Sequence, residues 1–433
     1  VFLHIAMKVA KNCRYVEPQF TLRFDKETSE EIWDEALDAL GAGATYPTLY
    51  NDDVNVPAVM YGMRVDEKTA EQYVPFGCTE FVIQGQSTGT PNICINLLKL
   101  LTIYMNDGID PIDGKRKSGP VSLKKLEEYQ TFEEFYDGYK ALLDYYLDLS
   151  VKAQYHSYEV MNQHVSFLFT SLLTDDCIAR GKALLDGGVR YLGGTNETYG
   201  NINTSDSLWV IRDLVFNQKK YTLRQLNDAM LANFNGYEAL RKDCLNCDKY
   251  GNDLETADTM ANDLYEFVAK GVRNRGIAIG MQYFLIVISN NQLNTEWGNR
   301  TAASPDGRLS CMYMNPANNP QGGANKSGPT AMLNSLAKFD AKYHGGSVQN
   351  IKFSPSMFNE NRAVIKSLFK TYFAKGGCHL MVTVVDKGVL EDAVEHPENY
   401  PDLIVRVSGF SAVFVDLSPN IQQELLSRVL YDK

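Results

Sequence analysis

The sequence predicts an α/β fold with strands buried on both faces, and three observations predict it. Short apolar runs recur at 284–288, 348–353, 380–385 and 404–415. Longer segments, many with helical signals, lie between them, the pattern of strands covered by helices on both sides. The chain has 433 residues, of which 44% are hydrophobic and 22% charged. That is an ordinary globular balance, which excludes disorder and coiled coil, and a length that suits two or three average domains or one large barrel.

Helix signals dominate the first two thirds. Thr28 and Glu31 form a capping-box pair ahead of Ile32, Trp33, Ala36, Leu37 and Leu40, which recur at helical spacing. Thr131 and Glu134 do the same ahead of Phe135, Tyr139, Leu142, Leu143 and Tyr146, in a stretch that is read as continuing, with breaks, to Leu173. Its tyrosines read as a core face rather than an aromatic cage. Two segments, 193–205 rich in Asn and Gly and 304–329 rich in Asn, Gly and Pro, read as loops and not as domain linkers. The second is too long for a plain connector, so it is expected to be functional or to pack across the body of the protein. No internal repeat or low-complexity tract is present.

Lys plus Arg number 42 and Asp plus Glu 53, a net charge of −11 with no basic stripe, which argues against nucleic acid. The longest apolar run, 277–288, is interrupted by Gln282 and falls short of the roughly 20 residues of a membrane span. Residues 1–10 lack the charged lead-in and apolar core of a signal peptide. A soluble, cytoplasmic protein with no membrane partner is therefore expected. Eight cysteines, at 13, 78, 94, 177, 244, 247, 311 and 378, do not read as a disulfide framework in a chain this long. Cys244 and Cys247 form one CxxC, but two further ligands at motif spacing are missing. They read as structural cysteines on a charged helix-to-loop segment, and no metal is expected.

Two short segments stand out. One is Pro75-Phe76-Gly77-Cys78-Thr79-Glu80; the other is Arg406-Val407-Ser408-Gly409-Phe410-Ser411-Ala412-Val413-Phe414. Singly, each has a structural reading: a buried Cys beside a Gly is usually inert packing, and a Gly in an apolar strand marks a bulge or close backbone approach. Together, and in this order, they resemble the glycyl radical enzymes, the superfamily of pyruvate formate-lyase and the radical diol, choline and hydroxyproline dehydratases. The resemblance continues through Pro47-Thr48-Leu49-Tyr50-Asn51-Asp52, Asn106-Asp107-Gly108, Ser205-Asp206-Ser207-Leu208 and Asn233-Phe234-Asn235-Gly236-Tyr237. Further along it includes Ser304-Pro305-Asp306-Gly307-Arg308, Gly328-Pro329-Thr330-Ala331, Phe353-Ser354-Pro355, Gly376-Gly377-Cys378-His379 and Pro397-Glu398-Asn399-Tyr400-Pro401.

The resemblance implies a pyruvate formate-lyase-like ten-stranded α/β barrel, in which two five-stranded parallel halves run antiparallel. It divides the chain into barrel residues 1–403, with the cysteine loop near 75–90, and a glycyl radical domain at 404–433. It makes Gly409 the site of a stored backbone radical, installed by a partner radical S-adenosylmethionine activating enzyme that carries an iron–sulfur cluster. No cofactor bound by this chain is implied, and a homodimer is expected. Only Gly suits radical storage, because without a Cβ it can flatten at Cα and share spin with the flanking amides. Cys78 would then abstract hydrogen as a thiyl, which calls for a neutral thiol in a dry, apolar site rather than an activated thiolate.

Glu80 lies two residues after Cys78 and, in a locally extended loop, would point to the same face. Once a carbon bearing a hydroxyl has lost a hydrogen atom, its O–H proton becomes far more acidic, so a carboxylate in reach can take it as the neighbouring group leaves. A desolvated acid with a raised pKa fits that task. In pyruvate formate-lyase the cysteine is followed by a second cysteine, whereas Cys78 is followed by Thr79, which disfavours acyl transfer to coenzyme A. Gly-Cys-Thr-Glu is closer to the Gly-Cys-Val-Glu of the dehydratases and arylacetate decarboxylases. In diol dehydratases an Asp fourteen residues past the cysteine holds the substrate; the same count here reaches Asn92. Asn92 and Thr79 are the substrate-binding candidates, the neutral Asn92 points away from a plain diol, and segment 81–95 matches no named substrate class.

The chain is also much shorter than the family's members and is expected to lack an N-terminal part of the barrel. The resemblance thus implies a dehydratase-type glycyl radical lyase acting on a small polar substrate. Decarboxylation or another C–C or C–X cleavage keeps the same residue pair. An inactive fragment or scaffold, and a thiol or metal protein using Cys244 and Cys247, are the readings from other classes. His164 and His379 are not assigned to the site, and His379 reads as a core histidine.

Overall fold

The computed structural model describes residues 1–89, 92–288 and 292–432. Two four-stranded sheets hold the strands of the core. The first is ordered β1 (Thr21–Phe24), β2 (Thr48–Asn51), β10 (His379–Val384), β9 (Asn350–Phe353). The second is ordered β5 (Ile93–Asn96), β6 (Gly193–Tyr199), β7 (Tyr283–Ile288), β8 (His344–Ser347). All pairs in the second sheet are parallel, with Gly193 opposite Tyr283 and Ile93 opposite Asn196. In the first, β1 and β2 are parallel and β9 and β10 are parallel, while β10 meets β2 antiparallel through His379–Tyr50 and Leu380–Leu49. That seam is where the strand direction reverses, as the expected two-halved architecture requires. Among the described residues β1 and β9 end the first sheet and β5 and β8 the second, and these two sheets hold eight strands rather than ten.

Side-chain alternation divides the strands between an outer core and an inner face. Leu380, Val382 and Val384 of β10, with Phe284, Ile286 and Ile288 of β7, join the large outer cluster under the helices. Tyr283 and Leu285 turn inward to Tyr50, Phe81 and Cys378. Helix Glu255–Ala278 packs along β7, and helix Phe132–His164 lies against it. The tyrosine stripe is a core face as expected, with Tyr136 and Tyr139 buried.

Thr131 caps its helix by accepting the Glu134 N–H. The chain then turns through left-handed Ser166 and Phe167 into a short helix, Leu168–Leu172. The earlier helix, Glu30–Gly41, is capped by Ser29 and not by Thr28, whose hydroxyl bonds Asp25 instead. The apolar run at 404–415 is two strands, β11 (Ile404–Arg406) and β12 (Ser411–Val413), paired as an antiparallel hairpin.

Segment 193–205 is not the loop expected from its composition. It is a fully buried strand, β6, followed by helix Asn201–Val210. Its sequence gives no apolar signal, because Gly193 and Gly194 lie directly under the rings of Tyr283 and Phe284, where a Cβ would sit 2.2 and 2.7 Å from ring carbons. Several of its polar side chains are hydrogen-bonded inside the protein, as with Asn196 Nδ2 on Ser150 Oγ at 2.8 Å. Segment 304–329 does pack across the body: buried Arg308 donates to the carbonyls of Gly298, Ala302 and Met312, and Ala317 reaches the cluster beside Cys78. Cys244 is buried on helix Glu238–Asn246, and Cys247 is its half-buried C-cap. Among the described residues, no helix is long and apolar enough to cross a membrane.

Candidate active site

Two tight hairpins meet at their tips. One joins β3 (Tyr73–Phe76) to β4 (Glu80–Ile83), with Cys78 in a turn closed by Thr79 N–H on Phe76 O at 3.2 Å. Gly77 takes the left-handed φ of +55° that the turn requires. The other joins β11 to β12, closed by Val407 N–H on Phe410 O at 3.0 Å, with Gly409 buried at φ +81°. A Cβ built on Gly409 would fall 2.6 Å from Cys78 Sγ and 2.4 Å from Cys78 Cβ. The Gly409 Cα is therefore no more than about 4 Å from the sulfur, one C–C bond further away, and one of its two hydrogens points toward the Cys78 residue. A side chain at 409 is excluded twice, by contact and by backbone conformation.

Three neighbouring side chains and one of the hairpin's own hold the Gly409 loop. The Gly409 N–H donates to Met381 Sδ at 3.3 Å, and its carbonyl accepts Gln19 Nε2 at 3.3 Å. Asn350 Nδ2 donates to Ser408 Oγ at 3.3 Å. Arg406, the buried last residue of β11, donates from Nε to Met381 Sδ at 3.2 Å and from Nη1 to Ser411 Oγ at 3.1 Å. Burial holds its guanidinium below the usual arginine range.

Burial pushes the Cys78 thiol well above its ordinary value, and the charges of Glu80 and Glu197 push it further, so it is a neutral S–H. The neutral thiol agrees with the expectation, and the surroundings agree in part: Cys78 packs against buried Ala317, Val348 and Met381. Phe76, however, points outward and is 43% exposed, and two buried acids, Glu80 and Glu197, also stand beside the sulfur.

Glu80 reaches Cys78 differently from the extended-loop expectation. The turn folds its carboxylate back, so that Oε2 accepts the N–H of Cys78 at 2.8 Å and of Thr79 at 3.0 Å. Burial raises the carboxyl above the usual range; backbone N–H donors oppose the rise and the charge of Glu197 adds to it.

Asn92 stands between the two acids. Its Nδ2 donates to Glu197 Oε1 at 2.7 Å and, at 3.4 Å, to Glu80 Oε1, while its Oδ1 accepts Thr195 Oγ1. Tyr199 donates to Glu197 Oε2 at 2.5 Å. Positions 90 and 91 of the expected cysteine loop lie outside the described residues. Thr79 turns away from this group. Its hydroxyl is buried without a hydrogen-bond partner among the described residues, beside Gly346 of β8. His379 is a core histidine as expected, accepting Gln349 N–H at Nδ1 and edge-on to Tyr50, and His164 is exposed at a helix end.

The structure thus brings together Gly409, Cys78, Glu80 and Asn92. It adds Glu197, Thr195, Tyr199, Met381 and Arg406, which the sequence reading did not assign. The missed signal was the alternation Thr195, Glu197, Tyr199, three polar-tipped side chains on one face of β6.

The Pyruvate formate lyase-like family matches residues 2–293, and the Glycine radical family matches residues 314–415. The chain belongs to the pyruvate formate lyase-like family and carries that family's glycine radical segment. It is 30% identical over 428 residues to trans-4-hydroxy-L-proline dehydratase of Clostridioides difficile, covering 98% of this chain and 54% of the relative. It is 28% identical over 436 residues to (2S)-3-sulfopropanediol dehydratase of Klebsiella oxytoca, covering 98% and 52%. The glycerol-bound B12-independent glycerol dehydratase of Clostridium butyricum superposes with a TM-score of 0.93 at 29% identity, covering 99% of this chain and 55% of that one. The chain spans about half the length of the curated relatives it matches.

Proposed function

We propose that this chain carries the chemistry of a glycyl radical lyase of the dehydratase type, acting on a small hydroxylated or amino-bearing substrate. The observation that carries the reading is the close approach of Gly409 Cα to Cys78 Sγ, beside an acid with a raised pKa. A partner radical S-adenosylmethionine enzyme, using its own iron–sulfur cluster, removes one hydrogen atom from Gly409 Cα. The Cys78 S–H hydrogen then moves to that carbon, and the thiyl takes a hydrogen atom from a substrate carbon bearing a hydroxyl. Glu80 accepts the hydroxyl proton as the neighbouring C–O bond breaks, and that proton leaves with the departing hydroxide as water. The product radical regains hydrogen from Cys78, whose thiyl recovers its own from Gly409.

The acceptor-rich wall of Glu80 and Glu197 favours a substrate that brings hydrogen-bond donors. An arylacetate would set a third carboxylate against these two. The names of the similar relatives, dehydratases of hydroxyproline, sulfopropanediol and glycerol, support dehydration as the reaction class. Residues 404–433 act in this reading as the radical-bearing unit.

The test is electron paramagnetic resonance after anaerobic incubation with a competent activase and S-adenosylmethionine. The expected result is a doublet absent from Gly409→Ala. A silent wild type, with the same activase proven on a longer relative, would overturn the reading.

A further inference from the structure

Met381 is a side chain that touches the Gly409 amide, the buried guanidinium and the thiol's surroundings together. On β10 it alternates away from Leu380 and Val382, which enter the outer core, and turns inward, only 2% exposed. There its thioether accepts the Gly409 N–H at 3.3 Å and the Arg406 Nε–H at 3.2 Å, and it packs in one cluster with Ala317, Val348 and Cys78. A thioether is a weak acceptor but a polarisable one. An acceptor on a peptide N–H leaves more electron density on that nitrogen, and a donor on the carbonyl withdraws it there. Gly409 has both, the sulfur on its N–H and Gln19 Nε2 on its C=O. A carbon-centred radical between an amide nitrogen and a carbonyl is stabilised by that combination of electron gain on one side and withdrawal on the other.

We propose that Met381 is a positioning residue for the Gly409 radical: its sulfur fixes the loop over Cys78 and polarises the Gly409 amide so that the stored spin persists. This rests on the glycyl radical reading above. It concerns the lifetime and electronic distribution of the radical, not whether hydrogen abstraction can occur.

The experiment compares wild type, Met381→Leu and Met381→Gln after identical anaerobic activation. Electron paramagnetic resonance follows decay, and electron–nuclear double resonance reads the exchangeable amide proton coupling. Leucine keeps an apolar side chain of similar size and removes the acceptor; glutamine restores an acceptor through its carbonyl. Met381→Leu is expected to give a doublet that decays about threefold to tenfold faster, the scale of one net hydrogen bond, with an altered amide proton coupling. Met381→Gln is expected to restore the lifetime. Equal decay and equal coupling in wild type and Met381→Leu would overturn the role of Met381 while leaving the glycyl radical reading intact. A silent wild type overturns both. Should Met381→Leu fail to fold, Met381→Ile removes the acceptor in its place: faster decay with an altered amide coupling supports the role, and wild-type decay and coupling overturn it.

Discussion

Glu80 shows how much one residue's chemistry depends on a turn. Its carboxylate accepts two N–H groups of the hairpin that carries the thiol, so acid and sulfur are positioned by the same few backbone atoms. Glu80→Gln keeps the shape and an acceptor oxygen but cannot take up a proton. It is expected to lower product formation by about 10²–10⁴-fold, the usual contribution of a general base, with the glycyl radical doublet undiminished. Equal losses of doublet and product would instead assign Glu80 a structural role.

The direction of the pH profile follows from the same group. Burial holds its acidic form to higher pH than for an ordinary carboxylate, so the rate should rise with pH as Glu80 ionises. The limb should lie above the usual glutamate range. Gly409, Cys78 and Glu80 were legible in the sequence because their residue types and order are distinctive. Glu197 was not, since a lone acid within Gly-Gly-Thr-Asn-Glu-Thr-Tyr reads as a loop unless Tyr283 and Phe284 are known to cover the glycines.

At the scale of elements, the chemistry depends on two hairpins whose tips touch. The sequence reading treated 404–415 as one apolar run, and the φ of +81° at Gly409 is what breaks it into β11 and β12. That hairpin belongs to its own apolar cluster, in which Val405, Val407 and Phe414 pack with Leu390, Ala393, Ile421 and Leu425. Its link to the rest includes Met381, Gln19 and Asn350, polar or soft contacts rather than a large shared core. A unit tied this way opens at lower free energy than β7 or β10. Hydrogen exchange is therefore expected to be faster across 404–427 than across 283–288, and faster again when the activase is present. Protection at 404–427 equal to that of β7, unchanged by the activase, would show that the hairpin does not leave its place. Among the other elements, strands with continuous apolar runs were legible, with ends displaced by a residue or two. β6 was not, because its burial is satisfied by hydrogen bonds and glycine contacts rather than by hydrophobicity.

The whole molecule carries a buried acid whose titration is coupled to folding. Asp206, on helix Asn201–Val210, is 1% exposed; its Oδ1 accepts Tyr250 N–H at 2.9 Å, and its Oδ2 has no hydrogen-bond partner among the described residues. Burial pushes its pKa up to about 7, and the charge of Lys249 only partly offsets that. In the unfolded chain the same group ionises near pH 4. Between those values the folded state holds a proton that the unfolded state has lost, so the Asp206 contribution to stability falls as pH rises from about 4 to about 7 and is constant above. Asn at this position keeps the acceptor for Tyr250 and removes the ionisation. Asp206→Asn is therefore expected to match wild type near pH 4 and to gain on it with rising pH, by of order 1–4 kcal/mol at pH 8. Urea unfolding midpoints across that range measure the difference. A gap that stays constant with pH would show that Asp206 ionises in the folded protein as it does in the unfolded chain, and that the polar cavity it lines is wet enough to solvate a carboxylate.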